Sequence, residues 1–363
     1  MKRFLPTWLG TRHLDPVLIA LLLVLMAIGL LILYSASNQD MGAVYRQAVR
    51  LGVGLVAMIA VSQVPPRILR LWAPWLYGIG IVMLLATWGL GVGRGAQRWL
   101  DLCFMRFQPS ELMKLAVPMM VAWYLHMRTL PPTWKPTLAS LAILAVPTLL
   151  IARQPDLGTA LLVATSGLFT LYLAGLRWRV ILAMAGLAVM AAPALWFVMA
   201  EYQRNRVRTF LDPEADPLGH GWNIIQSKIA VGSGGLGGKG WLAGTQSHLE
   251  FIPERHTDFI LAVLAEEFGL IGVAALMLLY LALIGRGLYI ASVARYTDSR
   301  LLAGALSLTL FVYVLVNGAM VSGLLPVVGV PLPLISYGGT SAVTLLAGFG
   351  IMLSIYGHRK FIK

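Results

Sequence analysis

An all-α, polytopic integral membrane fold with about ten transmembrane helices follows from three features of this sequence. Hydrophobic residues make up 58% of it and charged residues only 12%, where a soluble domain is about a quarter charged. Its apolar residues gather into runs close to the roughly 20 residues that a helix needs to cross a bilayer. Its net charge of +13 is not spread evenly but falls on alternate connectors. A single cysteine, Cys103, leaves no intrachain disulfide and no cysteine-based metal site.

In chain order the predicted spans are 17–35, 46–64, 71–90, 109–126, 136–153, 157–176, 180–200, 259–284, 301–322 and 340–357. Ser35-Ala36-Ser37 after the first run loosely resembles a signal cleavage site. That run is longer than the roughly 7–15 residues of a signal-peptide core, so it reads as a retained span. Spans 136–153 and 157–176 are parted only by Gln154-Pro155-Asp156. The proline breaks the helix there, and the combined run is too long for one crossing.

Charge placement orients the spans. With the N-terminus in the cytoplasm, the inner segments carry Lys2, Arg3, Arg12, Arg67, Arg70, Arg128, Lys135, Arg177, Arg179, Arg286, Arg295, Arg300, Arg359, Lys360 and Lys363, against only Asp15 and Asp298. The whole surplus lies there, as the positive-inside rule requires. Both termini are then cytoplasmic, and no nucleic-acid partner is needed to explain the charge. The chain reads as a single membrane domain, 1–363, with one long extracytoplasmic loop, 201–258, between spans seven and eight. Connectors 91–108, 154–156, 201–258 and 323–339 all open outward and hold nearly every unusual cluster, so the working face is outside.

The first cluster is Arg94-Gly95-Ala96-Gln97-Arg98-Trp99, followed by Arg106-Phe107-Gln108-Pro109-Ser110-Glu111 and Lys114. Proline followed by glutamate is a good helix start, and Glu111/Lys114 is an ordinary i,i+3 pair. Lys114 nevertheless lies within a span, where ionisable groups are costly and functional by default. Arg106, Lys114 and the free N–H groups of the helix end make a candidate anion clamp. In Arg153-Gln154-Pro155-Asp156-Leu157-Gly158-Thr159, a tight turn and a helix start explain Asp156 as well as a role in orienting the basic cluster does.

In the long loop, Arg204, Arg206 and Arg208 follow a span directly; membrane anchoring and contact with a lipid diphosphate both fit them. Asp212-Pro213-Glu214-Ala215-Asp216-Pro217 lacks the length and terminal glutamate of a calcium loop and reads as a turn. The stretch 221–231 is amphipathic and suits the membrane interface. Gly232-Ser233-Gly234-Gly235-Leu236-Gly237 matches G-x-G-x-x-G but follows no strand, so a dinucleotide site is rejected; a close-approach loop remains. Next comes Pro253-Glu254-Arg255-His256-Thr257-Asp258 at the edge of a span. Thr257 or Asp258 would cap the helix, but capping does not call for Glu254, Arg255 and His256 as well. Glu266 falls within about 80° of Asp258 on a helix and Glu267 on the opposite side, so at least one faces a protein interior. The uncharged, proline- and glycine-rich segment 326–341 predicts a re-entrant wall, since irregular backbone at membrane depth must be buried or line a cavity.

Taken in order, Gly95-Ala96-Gln97-Arg98-Trp99, Phe107-Gln108-Pro109-Ser110-Glu111, Gln154-Pro155-Asp156-Leu157-Gly158-Thr159, Pro253 to Phe259, Pro331-Leu332-Pro333 and Ser336-Tyr337-Gly338-Gly339 resemble the SEDS family, the shape, elongation, division and sporulation proteins. The resemblance covers essentially the whole chain. It implies a peptidoglycan glycosyltransferase of the plasma (inner) membrane that polymerises lipid II on the periplasmic face for elongation and rod shape. It also implies a class B penicillin-binding protein (a transpeptidase) and the MreB-associated elongation complex as partners. The family's essential loop carboxylate falls on Asp258, and its sensitive positions at the fourth span fall on Arg106, Glu111 and Lys114.

The reaction that the resemblance implies needs a base for a sugar hydroxyl and positive charge for a departing diphosphate. Asp258 is the candidate base. Arg106, Lys114, Arg204 and Arg208 are candidate clamps, with Glu111, Asp156, Glu254, Arg255 and His256 as further substrate contacts. A divalent cation, Mg or Mn, is an optional helper with no ligands assigned. A helix N-terminus would favour the carboxylate and weaken the base, while burial would strengthen it; the sequence leaves that balance open. A lipid II flippase or other transporter, and a non-catalytic scaffold of the cell-wall complex, are the competing readings.

Overall fold

The architecture is taken from a computed structural model, which describes residues 14–92, 98–101, 106–199, 201–215, 220–248 and 254–359. The charges expected at Lys2, Arg3, Arg12, Lys360 and Lys363, the residues Arg94 to Gln97, Asp216-Pro217 and Pro253 lie outside these.

A helix occupies each of the ten predicted stretches: α1 (Pro16–Ala36), α2 (Met41–Ser62), α3 (Pro66–Leu90), α4 (Pro109–His126), α5 (Trp134–Ala152), α6 (Leu157–Leu173), α7 (Trp178–Val198), α11 (Ile260–Val293), α12 (Thr297–Val321) and α13 (Thr340–Gly357). Within the long connector the chain adds α8 (Glu201–Leu211), α9 (His220–Ser233) and the short α10 (Thr245–His248). Among the described residues seven helices are long and apolar enough to cross a membrane: α1, α2, α3, α5, α11, α12 and α13. Glu111, Lys114 and His126 make α4 more polar, and α6 is shorter at 17 residues. The expected all-α fold needs one amendment. Leu100–Asp101 (β1) and Arg106–Phe107 (β2) pair as an antiparallel hairpin, extended by a bridge between Val92 and Trp99.

Helix α12 forms the axis of the bundle, packed by α4, α6, α9, α11 and α13, while α13 lies along α2. At one end the charges are consumed in structure. Asp15 accepts the free N–H groups of Val17 and Leu18 at the start of α1 and is fully buried against Arg286, 2.7 Å away. Asp298 takes Arg70 at 3.3 Å and His126 at 2.9 Å. The opposite end collects the hairpin, the 154–156 turn, the long connector and the 323–339 segment.

Helix α11 is one 34-residue element broken at Gly269, whose φ of 63° and ψ of −161° no residue with a side chain adopts readily. The glycine-rich loop inserts there. Lys239 and Gly240 donate to the Glu266 and Glu267 carbonyls at 3.0 and 2.9 Å, and Leu270 and Ile271 donate to Gly235 and Leu236. A Cβ at Gly269 would come within 2.4 Å of the Gly238 nitrogen. The G-x-G-x-x-G run is therefore a backbone-to-backbone plug. Both acids of this helix are buried: Glu266 at 0% exposure receives Lys239 at 2.7 Å, and Glu267 at 1% receives the Ser35 hydroxyl.

Candidate functional site

Asp258 lies in the turn from Glu254 to Phe259 that feeds α11. The turn is held from inside by Thr257, whose N–H donates to the Glu254 carbonyl and whose hydroxyl donates to the Glu254 carboxylate at 2.7 Å. It is held from outside through three consecutive carbonyls. The Tyr337 N–H donates to His256 at 2.8 Å, the Ser336 hydroxyl to Thr257 at 2.6 Å and the Asn317 amide to Asp258 at 2.9 Å. Asn317, fully buried in α12, also donates to the Val330 carbonyl at 2.8 Å. Carbonyls left unpaired in such a place would cost about 1–3 kcal/mol each, so α12 and the 331–341 segment fix the turn firmly.

The expected cap is corrected here. The N-cap of α11 is Phe259, with no side-chain capping bond, because Thr257 is turned back to Glu254. The Asp258 carboxylate is thus not spent on helix N–H groups, and burial decides its chemistry. Desolvation, with Glu254 and then Asp156 adding like charge, raises its pKa from the ordinary 3.8 to about 6, while Arg206 pulls the other way.

Asp156 arrives from α6. It caps that helix through Thr159 N–H at 3.2 Å and accepts the Gln108 amide at 2.9 Å. Its helix start fits close under the 327–330 segment, since a Cβ at Gly158 would sit 2.5 Å from the Val328 carbonyl. A Cβ at Gly329 would in turn sit 3.6 Å from the Asp258 carboxylate. Arg98 serves this turn by donating to the Gln154 and Pro155 carbonyls. The 326–341 segment is the wall that the sequence leads one to expect, and it brings Asp156 and Asp258 together.

Lys114 and Glu111 form a buried ion pair of 2.7 Å facing the bundle axis, with the Lys114 ammonium 5.2 Å from the Tyr313 ring centre. They line a void of about 40 Å³. Arg106 instead lines a groove of about 560 Å³ between α2, α13 and the hairpin. Thr344 of α13 lies on the walls of both, so the groove and the ion pair are adjacent.

Arg204 and Arg208 are engaged within their own segment. Arg204 donates to the Trp196 and Phe197 carbonyls at 3.0 and 2.9 Å, and Arg208 pairs with Glu201 at 2.9 Å. Arg206, on the other face of α8, is the cation whose field reaches Asp258. His256 is exposed and meets the edge of Tyr337 at 6.0 Å. Arg255 is half-buried beside it in sequence, and Glu254 is exposed.

Sequence reasoning passed over α2. Gln47, 1% exposed, clasps the 331–341 segment by donating to the Ser336 carbonyl and accepting from Gly338 N–H. Arg46 donates to the Tyr337 hydroxyl at 3.2 Å, and the Arg50 guanidinium lies 4.5 Å over the Tyr337 ring. The signal was present: two arginines at the start of a span on the face where the positive-inside rule disfavours them. Among the described residues no three His, Cys, Asp or Glu side chains converge to hold a metal ion.

The chain is similar to known proteins over nearly its whole length. The cell cycle protein family of FtsW, RodA and SpoVE matches residues 15–361. The peptidoglycan glycosyltransferase MrdB of Escherichia coli is 56% identical over 97% of this chain and 95% of its own. The probable peptidoglycan glycosyltransferase FtsW of Trichlorobacter lovleyi is 36% identical over 95% and 94%. A chain from a peptidoglycan synthase complex that coordinates polymerization and crosslinking superposes with a TM-score of 0.83 at 34% identity, over 96% of this chain and 99% of that one. The rod shape determining protein RodA of Thermus thermophilus superposes at 0.73 and 30%, over 98% and 99%.

Proposed function

Since this chain belongs to the FtsW–RodA–SpoVE (SEDS) family and is a multi-pass membrane protein and a peptidoglycan glycosyltransferase similar to RodA, we propose that Asp258 is its general base. The substrate is lipid II, a disaccharide-pentapeptide on undecaprenyl diphosphate. A sugar hydroxyl of one lipid II attacks the anomeric carbon of another. The new C–O bond forms as the bond to the diphosphate oxygen breaks, the hydroxyl proton passes to Asp258, and undecaprenyl diphosphate departs with the electron pair. A positioned base of this kind contributes about 10²–10⁴-fold, and cations at the leaving group add electrostatic stabilisation.

The observation that carries this reading is the state of Asp258: uncapped, partly buried and raised to about 6. A carboxyl in that range is a stronger base than an ordinary aspartate and is still ionised at neutral pH. Arg206 supplies positive charge toward Asp258, and Arg106 stands on the wall of the groove between α2 and α13. Lys114 and Glu111 line the void adjacent to the groove, and Asp156 orients Gln108. Glu254 tunes Asp258, while Arg255 and His256 border the approach.

The loop-rich end, with the 201–258 loop, is the periplasmic face in this reading. Ten helices cross the membrane and both termini are cytoplasmic, which leaves the Asp15–Arg286 and Asp298–Arg70 pairs at the inner surface. A class B penicillin-binding protein is the proposed crosslinking partner, within an MreB-associated machinery. A lipid-facing groove of about 290 Å³ between α11 and α12, floored by Gly318 and Ala319, suits a partner's single spanning helix.

The test is polymerisation of labelled lipid II by the purified chain, run beside a leaflet-exchange assay in vesicles. Asp258→Ala is expected to stay folded and to polymerise nothing. An aspartate-to-alanine variant of the T. thermophilus RodA has yielded a crystal structure. Full polymerisation by Asp258→Ala would end the proposal.

A further inference from the structure

Tyr313 is a buried residue that the catalytic reading leaves without a task. It lies on α12 one turn before Asn317, at 1% exposure. Its ring packs with Leu162 of α6 and with Val330 of the wall, the residue whose carbonyl Asn317 holds. The Lys114 ammonium of α4 stands 5.2 Å from the ring centre, and the charge of Asp156 reaches the same side chain. Four parts that frame the acids, α4, α6, α12 and the 326–341 segment, therefore converge on one tyrosine.

Packing explains the ring but not the hydroxyl. A buried hydroxyl without a partner is costly, yet among the described residues the Tyr313 hydroxyl has no hydrogen bond, and neither has the second oxygen of Glu111. Lys114 gives one N–H to Glu111 at 2.7 Å, and an ammonium carries two more. All three side chains line the void of about 40 Å³ between α4, α12 and α13. Thr309 joins them there; its hydroxyl already donates to the Ala305 carbonyl at 2.8 Å and is left as an acceptor. A buried water needs about 10–15 Å³ and two to four polar partners. The void has room for about two or three waters by that measure, and its walls offer both donors and acceptors.

We propose that Tyr313 is a positioning residue for glycosyl transfer, its hydroxyl tying the Glu111–Lys114 pair of α4 to α12 through water held in this void. The proposal rests on the base assigned above and adds a support for it. Gln108, at the head of α4, holds the Asp156 carboxylate, while Asn317 on α12 holds the Asp258 carbonyl. A tie between α4 and α12 just beneath these contacts fixes the two carboxylates against each other. Removing the hydroxyl alone would keep the packing and lose the tie, which separates this role from a merely structural one.

The experiment pairs radiolytic hydroxyl labelling of the full chain in nanodiscs, in isotope-labelled water and without lipid II, with polymerisation kinetics. Radicals formed from a bound water mark the side chains that touch it. Met352, 2% exposed on the wall of the void, should label several-fold faster than Met113, 0% exposed and away from it. Tyr313→Phe should slow labelling of Met352 and lower kcat about tenfold, the worth of one hydrogen bond, with KM and thermal midpoint close to the parent's. Leu306→Phe, which fills the void and leaves its polar groups in place, should do the same. Tyr313→Leu, which also removes the ring, should lower the thermal midpoint as well. Met352 labelled no faster than Met113, or full kcat in both Tyr313→Phe and Leu306→Phe, would overturn the proposal. So would a loss of kcat in Tyr313→Phe that comes with a thermal midpoint as low as that of Tyr313→Leu, since packing alone would then account for it. The labelling is independent of Asp258; polymerisation surviving in Asp258→Ala would instead remove the reading beneath it.

Discussion

Lowering the pH to 5 is the sharpest perturbation of Asp258. Its displacement from 3.8 to about 6 is worth about 3 kcal/mol in favour of the neutral carboxyl. If Asp258 accepts the proton, only its ionised form works. About a tenth of the molecules would then be competent at pH 5, whereas an ordinary aspartate would leave about nine-tenths competent. Initial rates of lipid II polymerisation between pH 4.5 and 8 should bend downward near 6. Stability runs the other way. The fold binds this proton more tightly than the unfolded chain does, so the group adds stability as pH falls from above 6 towards about 4. Activity lost near pH 6 without a fall in thermal midpoint is therefore catalytic. Glu254→Gln removes a like charge and should move the bend to lower pH; Arg206→Gln should move it to higher pH. A bend at about 4 in the parent, or one indifferent to both substitutions, would refute the argument.

Three further outcomes follow from other contacts. Lys114→Met or Glu111→Gln alone strands a buried charge or its partner and should cost about 3–5 kcal/mol, with the double variant recovering most of it in a denaturant double-mutant cycle. Asn317→Ala strips the donors from the Asp258 and Val330 carbonyls; about 2–4 kcal/mol should be lost, and kcat should fall as the turn loosens. Gly269→Ala forces a side chain into the left-handed region against the Gly238 nitrogen and should cost about 2 kcal/mol or more, visible as reduced yield of folded protein by size exclusion.

The helices were legible because hydropathy and proline record them directly, and each predicted stretch is a helix. The site was legible as a set of motifs but less so as geometry. Arg204 and Arg208 are candidate clamps because the 202–208 stretch directly follows a span, which says nothing of the face each arginine takes. Once it is helical, positions 204 and 208 share a face with each other and with Glu201, and 206 points elsewhere. Asn317 was invisible because it is a lone amide within an apolar span. Its partners lie 59 and 13 residues away in sequence, and no periodicity encodes that. Asp258 could have capped α11 on local grounds; long-range bonds to three carbonyls set the turn differently. Arg46 and Arg50 were readable from their side of the membrane but were counted only as charge.

The interruption at Gly269 divides α11 into a short collar beside Asp258 and a long shaft. The collar's last carbonyls and the shaft's first N–H groups are both answered by the glycine loop, which sets the register of one against the other. One loop splints both sides of the break, so the acid at the collar's head keeps its address relative to the shaft.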